Sequence, residues 1–314
     1  MLVANSWQIK SYRGSATPLR LKKTAMESIN LLTLPDSRRL AYAEYGDPNG
    51  HPVFYFHGGG TSRLEPLLLG DEVFIRLGLR LIAPDRPGIG RSDFQPNRGF
   101  SDWTKDVTFL ADTLGLDKFS VLGVSSGGGY TAACAAKIPN RLYSAAIVSG
   151  AWEFTTADLL KSNRWSLILI KFFPWLYQAS MKLTQRSLNG PPDKLLETFK
   201  KTLPAADYAV LRSPGRIQKS CEALNEGLRS GTRGTVWDLQ LYFRKWDFSL
   251  DEIRMPLTLF YGEEDRNVPL DLVKRVAATL PTAKLVIYPN EGHISVVVNQ
   301  IEAITEALLG RRIV

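Results

Sequence analysis

The sequence predicts an α/β protein: a mostly parallel central sheet with helices on both faces and one long helical insertion. Three observations lead there. From residue 29 onward, short apolar β-prone runs alternate with helical patterns, as βαβ units require. Runs such as Val53 to Phe56 are continuously apolar and bounded by turn residues, as expected of strands buried on both faces. Between about residues 152 and 250 the alternation stops, and after it strands and helices resume.

Residues 29–34 and 39–45 flank Pro35-Asp36-Ser37 and read as an antiparallel entry hairpin. Gly46 to Gly50 is a loop, and Val53 to Phe56 is a buried strand ending at His57-Gly58-Gly59-Gly60. A helix is expected over 66–77. The strand Leu79 to Ala83 follows and ends in Asp85-Arg86-Pro87-Gly88-Ile89-Gly90-Arg91-Ser92. Residues 101–115 carry a helical pattern with Ser101 as its N-cap. Strand 119–124 runs into Gly123-Val124-Ser125-Ser126-Gly127, and helix 126–137 follows. Ser144 to Ser149 is the next strand. The segment 152–250 reads as helices broken at Pro174, Gly190-Pro191-Pro192, Pro204, Pro214 and Gly231 to Gly234. Beyond it come strand 256–262, helix 269–280, strand 284–288 and a final helix over 294–310.

With 314 residues, 44% hydrophobic and 22% charged, the composition is that of an ordinary globular chain. The two cysteines, Cys134 and Cys221, suggest neither a disulfide framework nor a metal site, and point to a reducing, cytoplasmic setting. The formal charge is +8. Residues 1–28 hold Lys10, Arg13, Arg20, Lys22 and Lys23 against Glu27, which reads as a solvated basic extension. The same segment has the composition of an organellar transit peptide, and its charge would also suit an anionic surface. No basic stripe is interleaved with aromatics, so nucleic acid is not an expected partner. The most apolar stretch, 166–177, is interrupted by Lys171 and Pro174 and falls short of the roughly 20 apolar residues of an integral membrane span. Nothing in the sequence sets an oligomeric state.

Gly123 to Gly127 fits the G-x-S-x-G pattern in the strand–turn–helix setting that makes it a nucleophile elbow. A Cβ at Gly123 or Gly127 would collide with neighbouring backbone, and the tight turn would hold its serine at strained dihedrals. A serine hydroxyl is a weak nucleophile at neutral pH and needs a base, an orienting acid and oxyanion donors.

With His57-Gly58-Gly59, Asp85 to Ser92, the elbow, Tyr261 to Pro269 and Glu291-Gly292-His293 in this order, the chain resembles the α/β-hydrolase fold superfamily. The resemblance is to the serine-nucleophile branch with a helical cap after the sixth strand, and it runs from about residue 29 to the C-terminus. It implies a core of residues 29–151 and 251–314, a cap over 152–250, and a Ser…Asp…His order of catalytic residues. Ser125 is the expected nucleophile, since it alone sits centrally between Gly123 and Gly127; Ser126 is the competitor. His293 is the expected base. His51 lies at the wrong end of its strand, and His57 more naturally braces its turn. Asp265 is the expected acid, beside the ordinary loop carboxylates Glu263 and Glu264. Glu153 is a substitute because some members of the fold place the acid there. The oxyanion hole would use the N–H of Ser126 and, by resemblance, that of Gly59, with Gly58 as the other candidate. The loop Asp85 to Ser92 looks structural.

The activity implied is hydrolysis of a small-molecule carboxylic ester with an apolar acyl or aromatic group, through an acyl-enzyme and without metal or organic cofactor. Trp165, Leu167, Ile168, Leu169, Phe172, Phe173 and Trp175 are candidates for lining its pocket, or for packing cap on core. Dehalogenases and epoxide hydrolases of this fold carry aspartate at the elbow, against Ser125. Proline-releasing aminopeptidases need an acidic cap, whereas 151–250 holds fifteen basic and nine acidic residues, a net +6. Lactonases, carbon–carbon bond hydrolases and a non-catalytic ligand receptor remain the alternatives on the same residues.

Overall fold

The computed structural model describes residues 29–155, 157–158 and 165–311. The expected basic extension 1–28 lies outside the described residues. Eight strands form one sheet: β1 (Asn30–Thr33), β2 (Arg39–Gly46), β3 (His51–Phe56), β4 (Leu79–Pro84), β5 (Phe119–Val124), β6 (Leu142–Val148), β7 (Leu257–Gly262) and β8 (Ala283–Tyr288). Their order is β1-β2-β4-β3-β5-β6-β7-β8. β1 and β2 form the antiparallel entry hairpin, and β2 pairs antiparallel with β4. From β4 to β8 all pairings are parallel.

Successive side chains of a strand point to opposite faces, and β3 feeds two cores in this way. Phe54 and Phe56 pack with Trp103 and Val107 of α2 (Asp102–Thr113) and with Tyr130 of α3 (Gly128–Lys137). Val53 and Tyr55 pack with Phe74 of α1 (Asp71–Arg76) on the other face. All four β3 side chains are buried, which is why this run shows no alternation in sequence.

Between β6 and β7 lie α4 (Trp165–Phe172), α5 (Pro174–Leu188), α6 (Pro192–Phe199), α7 (Ala205–Leu211), α8 (Arg216–Gly227) and α9 (Arg233–Gln240). After β7 come α10 (Leu270–Thr279), α11 (Ser295–Asn299) and α12 (Ile301–Leu308).

Three local expectations give way. The helix expected over 66–77 is a 3-10 turn, Glu65–Leu68, followed by α1, because Gly70 takes φ +97° between them. Ser101 does not cap α2; its backbone is helical and its N–H is held by Asp247 at 3.0 Å. The C-terminal helix is split at Gln300 into α11 and α12.

A parallel sheet gathers its carboxyl ends along one edge, and ligands bind beyond it. β3 delivers His57 there, β4 Asp85, β5 Ser125, β6 Ser149 and β7 the loop to Asp265.

Candidate active site

β5 ends at Val124, and Ser125 turns the chain at φ +53°, a left-handed conformation that costs a non-glycine residue about 1–3 kcal/mol. The two flanking glycines make the turn sterically feasible. A Cβ on Gly127 would lie 2.0 Å from the carbonyl oxygen of Phe56 in β3, and one on Gly123 would lie 2.4 Å from the carbonyl oxygen of Gly127. The chain then passes through a single 3-10 turn, Ser125–Gly127, into α3. The first N–H groups of such a helical start have no partner within the helix and carry its positive dipole end. Ser126 N–H belongs to this set.

His293 arrives on the loop after β8. Its Nδ1 lies 2.8 Å from Oδ2 of Asp265, whose side chain is almost wholly buried. The other carboxylate oxygen, Oδ1, accepts the N–H groups of Asn267 at 2.6 Å and Val268 at 3.0 Å. Burial alone would raise the Asp265 carboxyl. The facing imidazole and the two backbone donors outweigh it and hold the group below its ordinary range. An ionised acceptor opposite Nδ1 selects the tautomer with the proton on Nδ1, so Nε2 is the basic nitrogen.

Ser125 and His293 line one cavity of about 480 Å³, a volume suited to a small organic ligand. Its walls are mainly apolar. Leu167, Ile170, Tyr177, Met181, Leu195 and Phe199 come from the inserted helices, and Val124, Phe154 and Val297 from the strand ends and loops around the sheet. Among the lining residues, those that ordinarily carry charge are Glu65 and His293. Of the apolar residues expected to line a pocket, Leu167 does so. Phe172, Phe173 and Trp175 instead face outward, Trp175 at 65% exposure. The Trp165 side chain lies outside the described residues. Cys134 and Cys221 are both free and buried.

The loop after β3 is held from several sides. His57 is fully buried. Its Nε2 accepts the Arg86 N–H at 3.4 Å and its Nδ1 donates to the Gly58 carbonyl at 2.9 Å. Burial first, and then the neighbouring Arg86 charge, hold this imidazole well below its ordinary range, so it is neutral. Arg86 donates to the carbonyls of both His57 and Gly58, the second at 3.1 Å, and its Nε donates to Asp238 of α9 at 2.6 Å. In a trans peptide the C=O and the following N–H point in opposite directions. With the Gly58 carbonyl turned toward Arg86, Gly59 N–H is turned away from it, and Gly59 lines the cavity. The Gly58 N–H is committed elsewhere: it donates to Oε2 of Glu65 at 2.6 Å. Of the two glycines expected as oxyanion donors, Gly58 is thus occupied within the fold.

Glu153 is exposed, and its carboxylate accepts the Trp246 N–H at 3.4 Å. His51 lies at the amino end of β3, bonded to Ser120 at 2.8 Å. Glu263 and Glu264 are exposed. Sequence reasoning overlooked Asp207 of α7, Asp238 and Glu65, and treated Arg86 only as part of a structural loop. The buried Asp207 carboxylate accepts N–H groups from His293 at 3.0 Å, Ile294 at 2.9 Å and Ser295 at 2.8 Å. Among the described residues, no group of three or more His, Cys, Asp or Glu side chains converges as metal ligands, and no helix is long and apolar enough to cross a membrane.

A family model described as the alpha/beta hydrolase fold matches residues 51–300. The bifunctional esterase/perhydrolase DCH of Acinetobacter calcoaceticus is 25% identical over 280 residues, 83% of this chain and 92% of its own. The 2-hydroxy-6-oxo-6-phenylhexa-2,4-dienoate hydrolase of Burkholderia cepacia is 27% identical over 256 residues, 78% of this chain and 82% of its own. Among solved structures, an alpha/beta hydrolase fold protein from Nakamurella multipartita superposes with a TM-score of 0.64 at 20% identity, covering 90% of this chain and 99% of that one. The strand order, the serine at the turn after β5 and the match over most of the length agree: the chain is a hydrolase-fold protein and belongs to the α/β-hydrolase family.

Proposed function

We propose that this protein is a serine esterase acting on a neutral carboxylic ester with an apolar acyl or aromatic group. The observation that carries the reading is one cavity holding a serine at φ +53° and a histidine whose Nδ1 lies 2.8 Å from a buried aspartate. Ser125 Oγ attacks the ester carbonyl as His293 Nε2 takes its proton, and Asp265 stabilises the imidazolium that forms. The carbonyl oxygen becomes an oxyanion held by the N–H groups of Gly59 and Ser126. The tetrahedral adduct collapses, the carbon–oxygen bond breaks, and the alcohol leaves with the proton from His293. Water then gives its proton to His293 and attacks the acyl-enzyme, releasing the acid and restoring Ser125.

In this reading residues 29–151 and 251–314 are the catalytic core, and 152–250 is a cap whose helices supply the apolar cavity wall. A carbon–carbon bond hydrolase would run on the same residues, and relatives with dienoate-hydrolase names lend that reading weight. No lysine or arginine is among the described residues that line the cavity to receive a dienoate's carboxylate, and the walls are mainly apolar, so the neutral ester fits better. Two measurements test the proposal: fluorophosphonate labelling, and turnover of 4-nitrophenyl esters of graded chain length. Wild type should label and turn over, and Ser125→Ala should do neither. Equal labelling of Ser125→Ala sinks the nucleophile assignment, and a folded wild type inert toward every ester favours the receptor alternative.

A further inference from the structure

We propose that Glu65 is a positioning residue for the oxyanion site, gripping the His57–Gly58 peptide so that the next N–H, that of Gly59, is presented to the substrate oxygen. The inference rests on the hydrolytic reading above and adds to it a residue that makes no contact with the reacting bond.

The His57–Gly58 peptide is held at both ends by charged side chains. Its N–H donates to Glu65 Oε2 at 2.6 Å, the length of a strong charge-assisted bond, and its C=O accepts from Arg86 Nη1. The peptide after it is held on the carbonyl side only, by Arg86 Nη2 at 3.1 Å, His57 Nδ1 at 2.9 Å and Thr61 Oγ1 at 3.2 Å. Its N–H, that of Gly59, makes no hydrogen bond among the described residues. Two glycines in sequence form a soft loop, because neither carries a Cβ to restrict its dihedrals. Without a partner for Gly58 N–H, the first peptide plane is free to rotate and carries the second with it. Misdirection of a donor by a fraction of an ångström weakens a bond formed only in the transition state.

Glu65 is placed for this role by its own setting. It begins the 3-10 turn after the loop and lines the cavity. A Cβ on Gly58 would lie 3.0 Å from Glu65 Oε1 and 3.5 Å from Ser125 Cβ, so carboxylate, loop and nucleophile are packed against one another. Burial holds the Glu65 carboxyl above its ordinary range, only partly offset by Gly58 N–H, Arg86 and the hydroxyls of Thr61 and Tyr55. The hydrogen bond to Gly58 survives as long as one carbonyl-type oxygen faces the N–H. A glutamine amide oxygen therefore substitutes for the carboxylate, whereas a shorter aspartate does not reach.

The test compares Glu65→Gln, Glu65→Asp and Glu65→Ala in the full chain on a 4-nitrophenyl ester, with affinity for a trifluoromethyl ketone that forms an oxyanion adduct. Glu65→Asp and Glu65→Ala should lose about 10- to 100-fold in kcat with KM within about twofold, and ketone affinity should fall in parallel. Glu65→Gln should stay within about threefold of wild type in both. If Glu65→Ala does not fold, Glu65→Asp carries the comparison, since it keeps the charge and loses only reach. A kcat within about threefold of wild type in Glu65→Asp overturns the proposal, as does a Glu65→Gln as impaired as Glu65→Asp. A wild type without Ser125-dependent turnover brings down the hydrolytic reading, and this inference with it. An active wild type with indifferent Glu65 variants brings down this inference alone.

Discussion

The carboxylate of Asp207 accepts the backbone N–H of His293 at 3.0 Å, although the two residues stand 86 positions apart and Asp207 belongs to the helices inserted between β6 and β7. The same carboxylate takes the next two N–H groups, of Ile294 and Ser295, at the start of α11. The insertion therefore does more than wall the cavity: it fixes the loop that carries the candidate base. Gly292 is the residue that lets the carboxylate in, since a Cβ there would lie 2.5 Å from all three atoms of the Asp207 carboxylate group.

Asp207→Ala strands three N–H groups in a buried place. Each unsatisfied donor costs about 1–3 kcal/mol, partly relieved where water enters. We expect a fall in unfolding free energy of about 3 kcal/mol in urea titrations. Turnover should drop at least about tenfold, because His293 loses its anchor. Asp207→Asn keeps one accepting oxygen and should fall between wild type and alanine on both measures. Full activity in a stable Asp207→Ala protein would sever the link between insertion and base.

At Gly127 steric exclusion is absolute. The Cβ of Gly127→Ala would sit 2.0 Å from the Phe56 carbonyl oxygen, and both partners are strand or elbow backbone that cannot step aside. Loss of soluble folded protein, or a destabilisation above about 4 kcal/mol, is expected by thermal melting. Gly78 offers the contrast. It also lies at positive φ, +67°, but nothing stands within 4 Å of its Cβ position. Gly78→Ala should cost only the conformational penalty of about 1–2 kcal/mol.

These contrasts mark what was legible in the sequence. The sheet could be read because each strand is a short apolar run closed by its own turn residues, and such signals are local. Ser125, Asp265 and His293 could be singled out for the same reason: each follows a strand within a compact motif. Arg86, Glu65, Asp207 and Asp238 act through partners that only the fold supplies. Arg86 and Asp238 are 152 positions apart. The apolar stretch 166–177 shows no facing direction in sequence because its apolar side chains lie on both the cavity side and the solvent side. Tyr177 and Met181 of α5 line the cavity, while Trp175 and Leu183 are exposed, so no 3.6-residue period marks the inner side. Gly58 and Gly59 are the same residue type side by side in sequence, and the fold tells them apart: Gly58 N–H donates to Glu65, while Gly59 N–H makes no hydrogen bond among the described residues.

Ser126 separates the two adjacent serines experimentally. Its hydroxyl is buried and has no hydrogen-bond partner among the described residues, while its carbonyl accepts the Tyr242 hydroxyl at 2.7 Å. A buried hydroxyl without a partner is a liability of about 1 kcal/mol or more. Ser126→Ala should therefore be as stable as wild type or more so. Its turnover should stay within about threefold, because the group proposed to face the oxyanion is the backbone N–H, which alanine keeps. Urea midpoints and 4-nitrophenyl ester rates check both halves. A loss as deep as that of Ser125→Ala would transfer the nucleophile to Ser126.

Asp238 links α9 to the loop after β4, and its titration gives the stability of that link a direction in pH. The residue is fully buried and bonded to Arg86, Arg98 and the Tyr130 hydroxyl. Burial raises its carboxyl, but the two guanidinium charges outweigh it and hold the group at about 2. A carboxyl depressed in the folded state contributes stability that is complete above its unfolded pKa of 3.8 and is lost as pH falls toward about 2. At neutral pH Asp238→Asn leaves Arg86 and Arg98 without their counter-charge in a dry environment and should cost about 3 kcal/mol or more. As the pH is lowered through 3.8, the unfolded wild-type chain takes up a proton at Asp238 that the folded protein does not, so wild-type stability falls and the gap between the two proteins should narrow. Urea denaturation of both proteins between about pH 7 and pH 3 reads this directly. A gap that stays constant or widens toward acid would mean that the Asp238 charge does not hold Arg86, and through it the His57 and Gly58 carbonyls that Arg86 bonds.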